Sequence, residues 1–236
     1  MEWALAPRAN PAAVRRRALV LQAGPAIARH LRPDWLLRAV SCLDLTTLAG
    51  ADTPGRVRRL AAKARSPIRR DVISALGAGD TVTVGALCVY HSMVRHAVQA
   101  LSGSDVPVCA VSTGFPAAQT ARENKIDQIK RSVEAGASEI DIVISRSLAL
   151  TGRWDLLHEE VSLFREACGA AHMKAILAAG DLASLRQVAQ ASRICLLAGA
   201  DFIKTSTGKE NVNAALPFGL VMAGAIRDYR RDYGYA

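Results

Sequence analysis

The chain has 236 residues, a formal net charge of +9, and a composition that is half hydrophobic, 22% charged and only 5% aromatic. That is ordinary globular composition for one large domain or two small ones, with a core resting on Ala, Val, Leu and Ile. No apolar run approaches the roughly 20 residues of a membrane-spanning helix.

The first 70 residues hold the whole charge excess, net +10 against −1 for the remainder, with peaks at Arg15-Arg16-Arg17 and Arg58-Arg59. A phosphate-rich partner such as RNA would explain it. However, no stacking aromatics or nucleic-acid motif accompany the basic residues, so a solvated basic helical face is expected and nucleic acid is not. An Arg-rich start also suggests mitochondrial targeting, but Ser is scarce and Pro11 and Pro25 interrupt it. Residues 1–34 therefore read as a basic, helical N-terminal extension, and residues 35–236 as one domain.

From residue 35 onward, short apolar runs alternate with longer helical patterns. The predicted strands are Leu37–Asp44, Thr81–Tyr90, Val106–Val111, Glu139–Ser145, Met173–Ala178 and Asp201–Thr205. The predicted helices are Pro54–Ala64, His91–Leu101, Ala117–Ala135, Trp154–Ala171, Leu182–Ala198 and Val212–Tyr229. Nearly the same phrase, an apolar helix end, Ala-Gly-Ala and then an acid, leads into both the fourth strand at Glu139 and the sixth at Asp201, which suggests a repeated structural unit. Apolar strands alternating with helices argue for an α/β fold with a parallel sheet, either a barrel or a doubly wound sheet. No G-x-G-x-x-G follows a strand, which weakens the dinucleotide-binding alternative.

A barrel places reactive residues at the C-terminal ends of its strands, and polar residues cluster there. Asp44, Thr46 and Thr47 end the first predicted strand, Cys88 and Tyr90 the second, Ser112 and Thr113 the third, and Lys204 to Thr207 the sixth. Asp141 and Lys174 lie inside apolar strands, where an unpaired charge is expensive, so a shared site in which they neutralise each other is expected. Lys204 closes the phrase Asp-Phe-Ile-Lys, and a lysine desolvated by its strand favours the neutral amine, the nucleophile of Schiff-base chemistry. The following Thr-Gly-Lys is not a P-loop: Ile203 stands where the first Gly is needed and Glu210 where Ser or Thr is. The five cysteines form no C-x-x-C pair, which argues against a disulfide framework or zinc site and for a reducing, cytoplasmic compartment.

The phrase Asp201–Lys209, together with Asp-Leu-Thr-Thr-Leu at 44–48, Glu-Ile-Asp-Ile-Val at 139–143 and Gly-Phe-Pro-Ala-Ala-Gln-Thr at 114–120, closely resembles the deoxyribose-phosphate aldolases, nearest to the animal form. The resemblance covers about residues 10–236. It implies a class I aldolase on a (β/α)₈ barrel that cleaves 2-deoxy-D-ribose 5-phosphate reversibly to D-glyceraldehyde 3-phosphate and acetaldehyde, with no metal or other cofactor. It further implies Lys204 as the Schiff-base lysine, Asp141 as the proton relay and Lys174 as a second pocket lysine. Asp44, Thr46, Cys88 and Thr207 would line the substrate, and Gly208 and Lys209 would form part of the phosphate site.

The sequence departs from that pattern in places. Residues 178–181 read Ala-Ala-Gly-Asp where the family usually has a threonine and a glutamate, and His91 replaces a usual proline. The family's seventh strand, carrying Lys-Pro-Ala-Gly-Gly, and a Ser-rich turn after strand eight have no counterpart, so about six of eight βα units are expected, roughly 60 residues fewer. Open sheet edges would then be expected to lower solubility or drive self-association, as a homo-oligomer or by edge pairing. Without the neighbouring lysine of that seventh strand, and with the phosphate grip about halved, activity is expected to fall by orders of magnitude. A catalytically impaired short form that binds the full-length enzyme or another protein is the alternative reading.

Overall fold

The structure, a computed structural model, describes residues 1–7, 9–24, 28–77 and 82–234. In chain order the elements are α1 (Glu2–Leu5), α2 (Pro11–Ala23), α3 (Arg32–Ser41), β1 (Asp44–Thr46), α4 (Pro54–Arg65), α5 (Arg70–Leu76), β2 (Ala86–Tyr90), α6 (Val94–Ala100), β3 (Val108–Val111), α7 (Arg122–Glu134), β4 (Glu139–Val143), α8 (Arg146–Leu150), α9 (Trp154–Cys168), β5 (His172–Ile176), α10 (Leu185–Leu197), β6 (Phe202–Lys204) and α11 (Leu216–Tyr233). The strands form one sheet in the order β1-β2-β3-β4-β5-β6, so each strand's sheet neighbours are its neighbours in sequence. The pairs β1-β2, β2-β3 and β5-β6 are parallel, as helical crossovers require.

Two compact units divide the chain. The first comprises Met1–Gly24, Ser112–Lys130 and Asp141–Ala236; the second comprises Pro25–Val111 and Arg131–Ile140. In the second unit, α4 packs on α6 and on β2, burying Val57, Ala61 and Ala64. Thr53 caps α4 by accepting from the Arg56 N–H, and Pro54 stands in the first turn, where its missing N–H costs nothing. In the first unit, α10 packs against α9, α11 and α1 and is buried on nearly every face. Its buried polar residues bond within that setting: Gln190 donates to Leu5 O, Ser192 to Val188 O, and Arg193 through Nη1 to Trp3 O and through Nη2 to Asp228, while Arg193 Nε is left without a partner among the described residues.

The repeated Ala-Gly-Ala phrase is a repeated helix stop. Gly136 (φ +101) and Gly199 (φ +89) each donate to the carbonyl three residues back, Val133 and Leu196. The next residues, Ala137 and Ala200, donate five back, to Ser132 and Cys195. This is the Schellman pattern, which needs a left-handed residue and hence favours glycine. The acid after the second stop, Asp201, accepts from Met173 N and from Arg165 Nη1. It thereby fixes the start of β6 to the start of β5.

Several predicted boundaries shift. Leu37–Asp44 is not a strand: residues 37–41 belong to α3 and β1 begins only at Asp44. The apolar residues Leu36, Leu37, Ala39 and Val40 have helical spacing, and Pro33 with Asp34 makes a helix start, a signal that outweighs the short apolar run. The second strand begins at Ala86 rather than Thr81, and Thr81 lies outside the described residues. β3 begins after Pro107, whose carbonyl nonetheless accepts from Leu87 N. Helix α7 starts at Arg122, five residues later than expected, because Ala118, inside the expected helix, takes positive φ. Residues 212–215 are not helical, since α11 waits for Leu216-Pro217. The helices α5 and α8 were not anticipated at all.

Candidate active site

Three adjacent strands deliver the charged residues that the sequence singled out. Asp141 lies at the centre of β4, with its side chain 1% exposed; Lys174 lies at the centre of β5, 6% exposed; Lys204 is the last residue of β6, 29% exposed. The register pairs Lys174 with Phe202 and Ile176 with Lys204, placing Lys204 two residues further toward the C-terminal ends. The Lys204 ammonium donates to Asp141 Oδ2 in a short contact, and Lys174 Nζ stands 3.9 Å from Asp141 Oδ1. Lys174 Nζ also lies 5.9 Å from the centre of the Phe202 ring, a cation–π distance. One buried carboxylate thus serves two amines, and a carboxylate so deep is tolerable only with such partners. The expected neutralisation of Asp141 by Lys174 is present, with Lys204 as the closer partner.

Downstream of Lys204 the chain turns through a loop rather than entering a helix. Thr207 N donates to both Glu210 carboxylate oxygens at 3.1 Å, and Thr207 Oγ1 accepts from Lys209 N at 3.1 Å. Gly208 takes φ +82, a conformation that its lack of a Cβ permits. Thr207, Lys209, Glu210 and Asn211 line a cavity of about 310 Å³ shared with Pro116, Ala117, Arg146 and Asp181. The loops around it are tied closely. Arg146 donates to Asp181 at 2.6 Å and to the carbonyls of Pro116 and Ala117. A Cβ on Gly180 would fall 1.9 Å from Val212 O, so only glycine lets residues 180 and 212 approach so closely.

In the second unit, Asp44 and Thr46 occupy β1 and Cys88 occupies β2, with Thr46 registered beside Cys88. Thr46 Oγ1 donates to Asp44 O at 2.7 Å, and Cys88 is buried. Asp44, Cys109 and Glu139 bring one donor atom each within 4.8 Å of one another. Two oxygens and a sulfur fall short of the four-ligand set of a structural zinc site.

Sequence reasoning missed Glu210 and Arg146. The first had a signal, because Thr207-Gly-Lys-Glu210 has the spacing of a capping box. The second had none: nothing local predicts that an arginine at the start of α8 bonds two carbonyls about 30 positions earlier.

With this geometry in view, the similarity to known proteins is specific. The model of the DeoC/LacD family of aldolases matches residues 39–230. The chain belongs to that family. It is 50% identical over 232 residues to the deoxyribose-phosphate aldolase of Bos taurus and 48% identical over 232 residues to that of Homo sapiens; in each case 97% of this chain and 73% of the relative are covered. Among solved structures, the tetrameric deoxyribose phosphate aldolase of Aeropyrum pernix superimposes with a TM-score of 0.66 at 23% identity, covering 86% of this chain and 81% of that one. The fold is therefore that of the barrel aldolases, the α/β alternative that the sequence left beside the doubly wound sheet.

Proposed function

We infer that the protein is a deoxyribose-phosphate aldolase, a lyase that cleaves 2-deoxy-D-ribose 5-phosphate reversibly to D-glyceraldehyde 3-phosphate and acetaldehyde. The observation that carries the reading is the Asp141 carboxylate held between Lys174 and Lys204, in a chain half identical to enzymes of that name. Schiff-base chemistry needs one of these two amines in its neutral form. Lys204, the more exposed and the nearer the strand end, is assigned as the nucleophile. Its neutral amine adds to the substrate aldehyde and, with loss of water, forms a protonated imine. The C2–C3 bond then breaks, its electron pair passes into the imine to give an enamine, and the C3 hydroxyl proton leaves to a base. Asp141, acting through a water, returns a proton to the enamine carbon, and hydrolysis frees acetaldehyde and Lys204. Lys174 holds the Asp141 charge in place.

In this reading Thr207, Gly208 and Lys209 contribute to the phosphate grip, with the Lys209 ammonium and the Thr207 hydroxyl as the donors, since the Thr207 and Lys209 N–H groups are already bonded to Glu210 and to Thr207 Oγ1. Asp44, Thr46 and Cys88 line the sugar. The enzyme works in the cytoplasm, where its free cysteines stay reduced, and copies of the chain assemble into a homo-oligomer. The test is release of D-glyceraldehyde 3-phosphate from 2-deoxyribose 5-phosphate, followed by NADH-linked reduction of the triose. Turnover that disappears in Lys204→Met supports the reading; turnover unchanged in that variant contradicts it.

A further inference from the structure

We infer that Thr113 is a positioning residue for Asp141, acting through the main chain of β4; the inference rests on the aldolase reading of the site. Thr113 is fully buried and has φ +60. Left-handed backbone is unusual for any residue with a Cβ and a marked outlier for a β-branched one, because the branch crowds the carbonyl. Such strain persists only where the surroundings enforce it, and it concentrates at functional sites.

What the strain achieves is visible in the hydrogen bonds. Ser112 N donates to Asp141 O at 2.9 Å. One residue later the chain turns, and the Thr113 side chain takes over. Its Oγ1 accepts from Val143 N at 2.7 Å and donates to Val143 O at 3.1 Å. One hydroxyl thus satisfies both main-chain groups of a buried strand residue. Asp141 sits two residues before Val143, and in a strand residues i and i+2 face the same side. Fixing residues 141 and 143 therefore fixes the direction in which the Asp141 carboxylate points.

The same loop also holds Val143 by its side chain. Val143 packs with Ala118 and Ile176, and Phe115 lies against that cluster. On the far side Ile144 N donates to Ile176 O at 3.2 Å. The loop itself is braced by Gln128, whose Oε1 accepts from Gly114 N at 3.0 Å and from Ser112 Oγ at 3.4 Å. The C-terminal end of β4 is therefore clamped just beyond Asp141, and Thr113 supplies the polar half of the clamp.

The test separates proton relay from imine formation. Acetaldehyde bound to Lys204 as an imine loses a methyl proton to give the enamine and regains a deuteron from D₂O, a step assigned to Asp141. Imine formation is read separately by borohydride trapping at Lys204. Thr113→Val removes the hydroxyl and keeps the shape; Thr113→Ser keeps the hydroxyl. We expect Thr113→Val to slow methyl exchange by about 10- to 100-fold, the scale of an ångström-level misplacement, while trapping stays within about threefold. Thr113→Ser should keep both rates within about threefold. Exchange at the wild-type rate in Thr113→Val overturns the inference, as does equal loss of trapping and exchange. If the valine variant does not fold, the serine variant decides: retention supports the role, and a tenfold loss of exchange in a folded serine variant overturns it. Absence of trapping in the wild-type chain would overturn the aldolase reading first, and this inference with it.

Discussion

With its side chain 1% exposed and two ammonium groups beside it, Asp141 depends on Lys204 and Lys174 for the charge balance that water would otherwise supply. Asp141→Asn removes that charge while keeping the shape. Turnover should fall by about 10²- to 10⁴-fold, the usual contribution of a positioned proton-transfer group, and the methyl exchange of acetaldehyde should fall with it. Loss of affinity at unchanged turnover would instead mark Asp141 as a simple binding group. The cysteines give an independent check on burial. Cys42 is exposed, whereas Cys88, Cys109, Cys168 and Cys195 are buried. Burial pushes the Cys168 thiol up to about 12, only partly offset by Arg165, and pushes Cys195 up further. A thiol so far from ionising is a poor nucleophile. Native protein at neutral pH should therefore show one fast-reacting thiol toward a disulfide reagent, mapped to Cys42, and all five after denaturation. Lys204, Asp141 and Lys174 were legible in the sequence because charge inside apolar strands is costly and so conspicuous. Thr113 was visible only as a strand-end polar residue, because its role depends on a backbone angle and on a partner 30 positions away.

At the scale of elements, the end of β4 has a second anchor. Lys125 on α7 donates to Glu160 on α9 and to Ser145 Oγ, each at 2.8 Å, and Glu160 also accepts from Ser145 N and Oγ. Lys125 and Glu160 are almost fully buried. Lys125→Met strands the Glu160 carboxylate and should cost about 3–5 kcal/mol in chemical denaturation. The double variant Lys125→Met, Glu160→Leu should recover most of that loss, because it removes both charges. A double variant as unstable as the single would show that the Ser145 bonds, rather than the ion pair, carry the stability. The sequence revealed α4, α9 and α10 well because their apolar spacing is long and regular. It misread α3, where an apolar run too short to discriminate between periods looked like a strand. It missed α5 and α8, which are 7 and 5 residues long and are held by tertiary packing rather than pattern.

For the molecule as a whole, the order of the strands was the most legible feature. Six apolar runs separated by helical patterns imply parallel neighbours, and the sheet follows chain order. Less visible was the joining of the two ends of the sequence. Trp3 Nε1 donates to Asp232 at 2.8 Å, and the Trp3 ring packs against Tyr229 and Tyr233 and under the Arg193 guanidinium. These residues lie more than 180 positions apart, beyond the reach of any local pattern. The bond from Arg231, then that from Trp3, holds the Asp232 carboxyl down to about 2. Because the folded value lies below the ordinary 3.8, the contribution of this contact is complete above the unfolded value and is lost as pH falls through the folded one. Trp3 emission should therefore change between about pH 4 and pH 2, with Trp3→Phe as the blank. No change in that window while the protein stays folded would contradict the contact.

The most direct test of the central claim is imine trapping on the 236-residue chain. The protein is incubated with acetaldehyde, reduced with borohydride, digested and mapped by mass spectrometry. The site described here predicts one reduced adduct on Lys204, with Lys174 and Lys209 unmodified. A folded chain carrying no adduct at Lys204, or carrying it on Lys174 instead, would contradict the assignment of the nucleophile.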